Sequence, residues 1–324
     1  MNNTTVLVTG GTGFLGVNTI LALLKRGFNV RTTLRTLSRK NEILDALSEG
    51  GISTFDQVSF YQADLLSDNG WDEATKGCDY VLHVASPFVA EQPKDENELI
   101  IPAREGTLRA LKAAKKAGVK RVVLTSSFAA IGYSIDPKNH VFTELDWTDE
   151  NALIQPYIKS KTIAEKAAWE FIKNHASDME LTVINPVGIF GPILGGISSA
   201  SLDTVVRGIV EGSIKENAPF TFGVVDVRDV ADIHIKAMLH PDAAGERFLA
   251  TSTGAMSFYD VAELIRKERP QLSGNIAPMQ PTPTDQYTVM SNKKATVALG
   301  WHPRPKEEAI LASVDSFKLS NVQN

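Results

Sequence analysis

Residues 4–16, TTVLVTGGTGFLG, constrain this chain more than any other stretch. Val6, Leu7 and Val8 make a short apolar, β-branched run that reads as a buried strand. A glycine cluster follows, and Phe14, Leu15 and Gly16 open a helical pattern through Ile20, Leu21, Leu23 and Leu24. Strand, glycine turn and helix in that order are what give a glycine fingerprint its meaning. A pyrophosphate must come close to the backbone, its charge is favoured at a helix N-terminus, and side chains at the turn would block it. Gly11, Gly13 and Gly16 fit G-x-G-x-x-G, and Gly10, Gly13 and Gly16 fit G-x-x-G-x-x-G. The expectation is a dinucleotide site built on Gly10, Thr12, Gly13, Phe14, Leu15 and Gly16.

Further strand-like runs occur at 28–34, 58–62, 79–85, 121–127, 181–185 and 247–251, with helical patterns between them. This alternation predicts an α/β fold, a doubly wound parallel sheet of about seven strands. After residue 190 the alternation loosens. One helix is expected at 202–210 and another at 226–239, and the Pro-, Gln- and Thr-rich segment 271–286 reads as a loop over the site. The expected organisation is a nucleotide-binding domain at 1–189, with 226–251 returning to its sheet. A discontinuous substrate lobe would comprise 190–225 and 252–324.

The end of the second strand separates NAD from NADP. An acid there binds the ribose 2′-hydroxyl, whereas arginine accepts a 2′-phosphate. The sequence runs Leu34-Arg35-Thr36-Leu37-Ser38-Arg39-Lys40, with no acid before Glu42. Arg35 is therefore expected on the 2′-phosphate, Arg39 closes over it, and the cofactor is NADP (NADPH). Ala85 ends the fourth strand and Ser86 follows it, where open sheets bind ligands, and both are placed against the cofactor with Thr125 of the fifth strand. His83, inside its strand, reads as a hydrogen-bonded core residue.

Pro156 suits a helix start, and Tyr157 and Lys161 then share one face at i,i+4 spacing. A free phenol titrates too high for fast proton transfer at neutral pH, and a neighbouring ammonium lowers that value. Tyr157 is expected to give a proton to a carbonyl oxygen as hydride arrives, Lys161 to hold the nicotinamide ribose, and a serine of the pair Ser126-Ser127 to orient the oxygen.

The net charge is −5 with dispersed cations, which argues against nucleic acid as a partner. Nothing resembles a signal peptide or a membrane span, and the single cysteine, Cys78, fits a reducing compartment, so the expected location is cytoplasmic. One cysteine and scattered histidines form no metal-ligand pattern, and none is expected.

TGGTGFLG resembles the cofactor loop of extended short-chain dehydrogenase/reductases. LTSSFAA, PYIKSKTIAEKAAWEF and INPVGIFGP resemble the dihydroflavonol reductase/cinnamoyl-CoA reductase branch, most closely its fungal and bacterial NADPH-dependent aldehyde/ketone reductases. The resemblance implies a catalytic set of Ser127, Tyr157 and Lys161, with Ser126 as fallback for the serine. It also implies adenine contacts from Asp64 and Leu65, and nicotinamide contacts from Pro186, Val187 and Ile189. Where cinnamoyl-CoA reductases have Asn-Trp-x-x-Tyr, this chain has Leu153-Ile154-Gln155-Pro156-Tyr157, which speaks against an aromatic CoA thioester. Phe88, Phe128, Ile131, Tyr133, Ile193, Leu194 and Phe220 are the expected pocket, and their apolar character favours an uncharged aldehyde or ketone. The helices after the fourth and fifth strands offer a homodimer face. Sugar-nucleotide epimerisation or dehydration, hydroxysteroid oxidation, and a non-catalytic NADP(H)-sensing regulator are the competing functions.

Overall fold

The computed structural model describes residues 4–87 and 95–317. Strand and helix alternate from the start: β1 (Thr5–Val8), α1 (Phe14–Lys25), β2 (Asn29–Leu34), α2 (Lys40–Glu49), β3 (Val58–Gln62), α3 (Trp71–Thr75) and β4 (Tyr80–His83). Next come α4 (Asn97–Lys116), β5 (Arg121–Thr125), α5 (Ala129–Gly132), β6 (Val141–Phe142), α6 (Pro156–His175) and β7 (Glu180–Pro186). Shorter pieces follow: β8 (Gly188–Phe190), α7 (Gly208–Val210), β9 (Phe222–Asp226), α8 (Val227–Leu239), β10 (Arg247–Ala250) and β11 (Ala255–Met256). The chain closes with α9 (Phe258–Glu268), β12 (Val289–Met290), α10 (Lys293–Leu299) and α11 (Lys306–Ser316).

The seven expected strands form one sheet in the order β10–β7–β5–β4–β1–β2–β3, with every pairing parallel. Such a sheet needs both faces covered, and the side-chain alternation of its strands provides for that. In β1, Val6 and Val8 enter the core shared with α1, α2 and α8, while Leu7 enters the opposite core with Leu111 of α4 and Phe171 of α6. The chain departs from β1 toward β2 and β3, then crosses to β4. That reversal opens a crevice between the carboxyl ends of β1 and β4, the position at which doubly wound sheets take ligands.

Two long-range devices lock the far end. The buried Arg121 guanidinium donates to the Ala237 carbonyl (2.7 Å), an acceptor that the end of α8 leaves without a helical partner, and to the His240 carbonyl just beyond α8 (2.6 Å). Asp229 accepts from the Arg304 amide at 2.7 Å, and the buried Trp301 indole donates to the Asp229 carbonyl at 2.9 Å. The Arg228-Asp229-Val230 segment therefore fastens the C-terminal Trp301–Arg304 loop.

Several details differ from the sequence expectation. Residues 202–210 begin as a π-helical turn over Leu202–Arg207 before α7. The segment 222–226 is a strand: β9 pairs with β8 and β11, and the Asp226 carboxylate then caps α8 by accepting the Arg228 amide at 2.8 Å. β6 and β12 form a second small sheet. The segment 271–286 is bounded by two 3₁₀ turns, Pro270–Asn275 and Thr284–Gln286, and Asn217 donates to Thr282 between them (2.7 Å). Among the described residues no helix is long and apolar enough to cross a membrane.

Candidate active site

The glycine loop fills the crevice for steric reasons. Gly10 has φ +73°, and a Cβ there would lie 3.0 Å from the Ala85 Cα; a Cβ on Gly16 would lie 2.2 Å from the Gly10 carbonyl oxygen. Gly11 turns inward instead, where a Cβ would strike Thr32 Oγ1 at 2.3 Å. Of the two spacings in the sequence, G-x-x-G-x-x-G therefore describes the crevice, and Gly11 is a packing residue. Thr9 braces the loop from below: its hydroxyl accepts the amides of Val84 and Ala85, both at 3.0 Å. At the start of α1, Gly13 is the N-cap with no side-chain cap, and the first turn holds no acid. Its amides and dipole are left to an anion, as a pyrophosphate requires. Gly16→Ala should lower stability by about 1–3 kcal/mol, because a backbone carbonyl cannot step aside as a flexible side chain can. Denaturant unfolding of the purified variant checks this.

Arg35 lies at the end of β2 with its side chain exposed and free of any acid among the described residues. Arg39 is held differently from the expectation. Its guanidinium forks onto Glu42 at 2.8 and 2.6 Å, and this hydrogen-bonded pair raises the arginine pKa and lowers that of the carboxyl. Asp64 accepts the Leu66 amide at 3.0 Å in a local turn and does not cap a helix, since α3 begins only at Trp71 behind Gly70.

At the mouth of β5 the structure separates the two serines. Ser126 is buried and donates to Glu165 at 2.5 Å, whereas the Ser127 hydroxyl accepts the Ala129 amide at 3.1 Å and lies close enough to Tyr157 to lower its pKa. Tyr157 stands in the first turn of α6, the residue 41 % exposed. Burial of its surroundings pushes the phenol up, and the Ser127 hydroxyl opposes that rise. Lys161, one turn on, is buried, and desolvation brings its ammonium down to about 8 against the upward pull of Glu165. The ammonium has no hydrogen-bond partner among the described residues. It borders a cavity of about 20 Å³ that Ser86, Thr107, Thr125, Ser126 and Glu165 also line.

His83 is a core residue. Thr9 Oγ1 already accepts two amides, so its proton goes to His83 Nδ1 at 2.9 Å, and burial beside Lys161 drives the imidazole down to about 3. His234 is likewise neutral, brought down to about 4 by burial; its Nδ1 donates to the Val230 carbonyl and its Nε2 accepts the Thr125 hydroxyl at 2.7 Å. The Thr125 side chain is thereby committed beneath the sheet.

The expected substrate residues divide. Tyr133 is 54 % exposed and close enough to raise the pKa of Tyr157. Phe128 packs edge-on against Tyr133 and Phe142, with centroids 5.7 and 5.3 Å away. Ile131 is a correction: it is 0 % exposed within the main core, because α5 turns that face inward. Ile193 and Leu194 lie in a seam, with the Ile193 amide on Ser316 of α11 (2.9 Å) and the neighbouring Gly195 amide on Glu49 of α2 (2.9 Å). Phe220 packs against Phe258 at 5.8 Å. Phe88 lies outside the described residues. Pro186 and Val187, at the carboxyl end of β7, border the serine loop, since the Pro186 carbonyl accepts the Phe128 amide at 2.8 Å; Ile189 follows in β8.

Sequence reasoning missed Glu165, Asn185 and Arg247, which meet beneath this cluster. The signal for Glu165 was present: Tyr157, Lys161 and Glu165 are successive i,i+4 positions on one helix.

A doubly wound nucleotide fold with serine, tyrosine and lysine converging at the carboxyl edge of its sheet defines a dehydrogenase/reductase of the short-chain type. The chain belongs to the NAD dependent epimerase/dehydratase family, whose model matches residues 6–250. It is 32% identical over 327 residues to the NADPH-dependent methylglyoxal reductase of Saccharomyces cerevisiae, covering 94% of this chain and 95% of the relative. It is also 32% identical over 327 residues to a cinnamoyl-CoA reductase of Medicago truncatula, covering 98% and 97%. The crystal structure of yeast methylglyoxal/isovaleraldehyde reductase complexed with NADPH superposes with a TM-score of 0.83 at 29% identity, covering 97% of this chain and 98% of that one.

Proposed function

We propose that this protein reduces an aldehyde or ketone to an alcohol with NADPH. The observation that carries the reading is the placing of Ser127, Tyr157 and a buried Lys161, without a hydrogen-bond partner among the described residues, at the carboxyl edge of a sheet whose first helix, α1, has an uncapped N-terminus. The residues present fit the cofactor: the α1 amides would hold the pyrophosphate, Arg35 the 2′-phosphate and Lys161 the nicotinamide ribose. Bound NADPH supplies hydride to the carbonyl carbon. Ser127 orients the carbonyl oxygen, and the Tyr157 phenol donates the proton that completes the hydroxyl. The Lys161 ammonium stabilises the phenolate left behind.

We read the substrate as a small, mostly apolar carbonyl compound, bound by Tyr133 and the segments 190–225 and 252–324, which would act as the substrate lobe. No nucleic acid or membrane partner enters this reading, and its compartment is cytoplasmic. A homodimer would cover the outward groove between α4 and α6, about 800 Å³ and floored by Leu108, Ala167 and Phe171. The test is loss of reduced-nicotinamide absorbance with NADPH, and separately NADH, against aryl aldehydes, α-ketoesters, diketones and cinnamoyl-CoA. Turnover with NADPH supports the reading and ranks substrates. Preference for NADH would favour epimerase-like chemistry, and tight NADPH binding without turnover of any carbonyl would favour a dinucleotide sensor.

A further inference from the structure

Below the catalytic cluster lies a buried carboxylate that the proposed reaction does not use. Glu165 is 0 % exposed at its side chain. Its Oε2 accepts Ser126 Oγ at 2.5 Å and Asn185 Nδ2 at 2.8 Å, and its Oε1 accepts Arg247 Nε at 2.6 Å and Trp169 Nε1 at 3.3 Å. These four donors come from the residue that follows β5 and from β7, β10 and α6. Asn185 also donates to the Ser127 carbonyl at 3.1 Å. The carboxylate thus grips both serines' loop, one through its side chain and the other through Asn185. No hydrogen bond joins it to Lys161. The two border the same cavity of about 20 Å³, which has room for one water.

We propose that Glu165 is a positioning residue of this site, fixing the loop that carries Ser127 and supplying the buried counter-charge for the Lys161 ammonium. The inference rests on the reading of Lys161 as the cation that holds the cofactor ribose. The electrostatics agree in sign: Glu165 pulls Lys161 upward against desolvation. Without its charge, the lysine would lose its proton at lower pH. Arg247 balances Glu165 and is itself anchored by the Glu144 and Asp146 carbonyls at 2.7 and 2.9 Å.

The test is NADPH binding by fluorescence titration across pH, in a Tyr157→Phe background so that the phenol does not titrate. Wild-type Lys161 should give an alkaline midpoint above which affinity falls. Glu165→Gln should move that midpoint down by roughly one pH unit or more. Glu165→Asp and Ser126→Ala, which keep the charge, should leave it near its original place. Should Glu165→Gln alone misfold around an unpaired Arg247, Glu165→Gln/Arg247→Gln removes both charges and should still move the midpoint down, by less than the single variant, because losing the Arg247 cation raises the lysine pKa. An unmoved midpoint in a folded Gln variant overturns the proposal, as does an equal shift in the Gln and Asp variants, which would mark a packing role only. Lys161→Met separates the two readings. If it leaves the pH dependence intact, the assignment of Lys161 to the ribose fails; if it abolishes the dependence while Glu165→Gln changes nothing, only the Glu165 inference fails.

Discussion

Tyr157→Phe should lower carbonyl reduction by roughly 10²–10⁴-fold while NADPH still binds, because general acid catalysis is worth about that much and only the hydroxyl is removed. The fold should tolerate the change, since the residue is 41 % exposed and its backbone sits in the first turn of α6. Ser127 keeps its hydrogen bond from the Ala129 amide. Steady-state kinetics paired with NADPH fluorescence titration make the test: kcat should collapse while the cofactor dissociation constant changes little. Activity close to wild type would move the proton donor elsewhere, with the Tyr133 hydroxyl the neighbouring candidate, and Tyr157→Phe/Tyr133→Phe would decide that.

Arg35→Ala should weaken NADPH binding by roughly 10–100-fold and leave NADH nearly unaffected. A hydrogen bond to a charged group contributes about 1.5–3 kcal/mol, and each 1.4 kcal/mol is tenfold in affinity. Arg35 is free to make such bonds, whereas Arg39 must first give up its fork on Glu42. Arg39→Ala is accordingly expected to have the smaller effect. The measurement is the ratio of kcat/KM for NADPH over NADH in each variant. A wild type that already prefers NADH, or a ratio unmoved by Arg35→Ala, would remove the 2′-phosphate role from this residue. The effect should also shrink with added salt, as an exposed cation on a phosphate is screened.

The seven-stranded sheet was legible because its strands are local runs of apolar and β-branched residues and most of the connections between its strands and helices carry a glycine or proline, though those after β2 and α6 carry neither. β9 was not. Phe222–Asp226 takes its place only by pairing with β8 and β11, so nothing within five residues distinguishes it from loop. Similarly, Ile131 reads as a pocket residue in a string of small and apolar neighbours, and only the packing of α5 against the main core shows it buried.

The sequence by itself determined the dinucleotide loop, the strand alternation and the helix face shared by Tyr157 and Lys161. These depend on spacings of a few residues, which steric freedom at glycine and the pitch of a helix convert directly into geometry. Tertiary structure alone decided that the Ser126 side chain turns inward, which of the two glycine spacings lines the crevice, and that Lys161 and Glu165 border one cavity. Ser126 turns inward because Glu165 waits there, and Glu165 is charged in company with Arg247, which lies 82 residues further along the chain. Contacts of that span depend on the order of strands in the sheet, and strands that are all buried on both faces look alike in sequence until they are side by side.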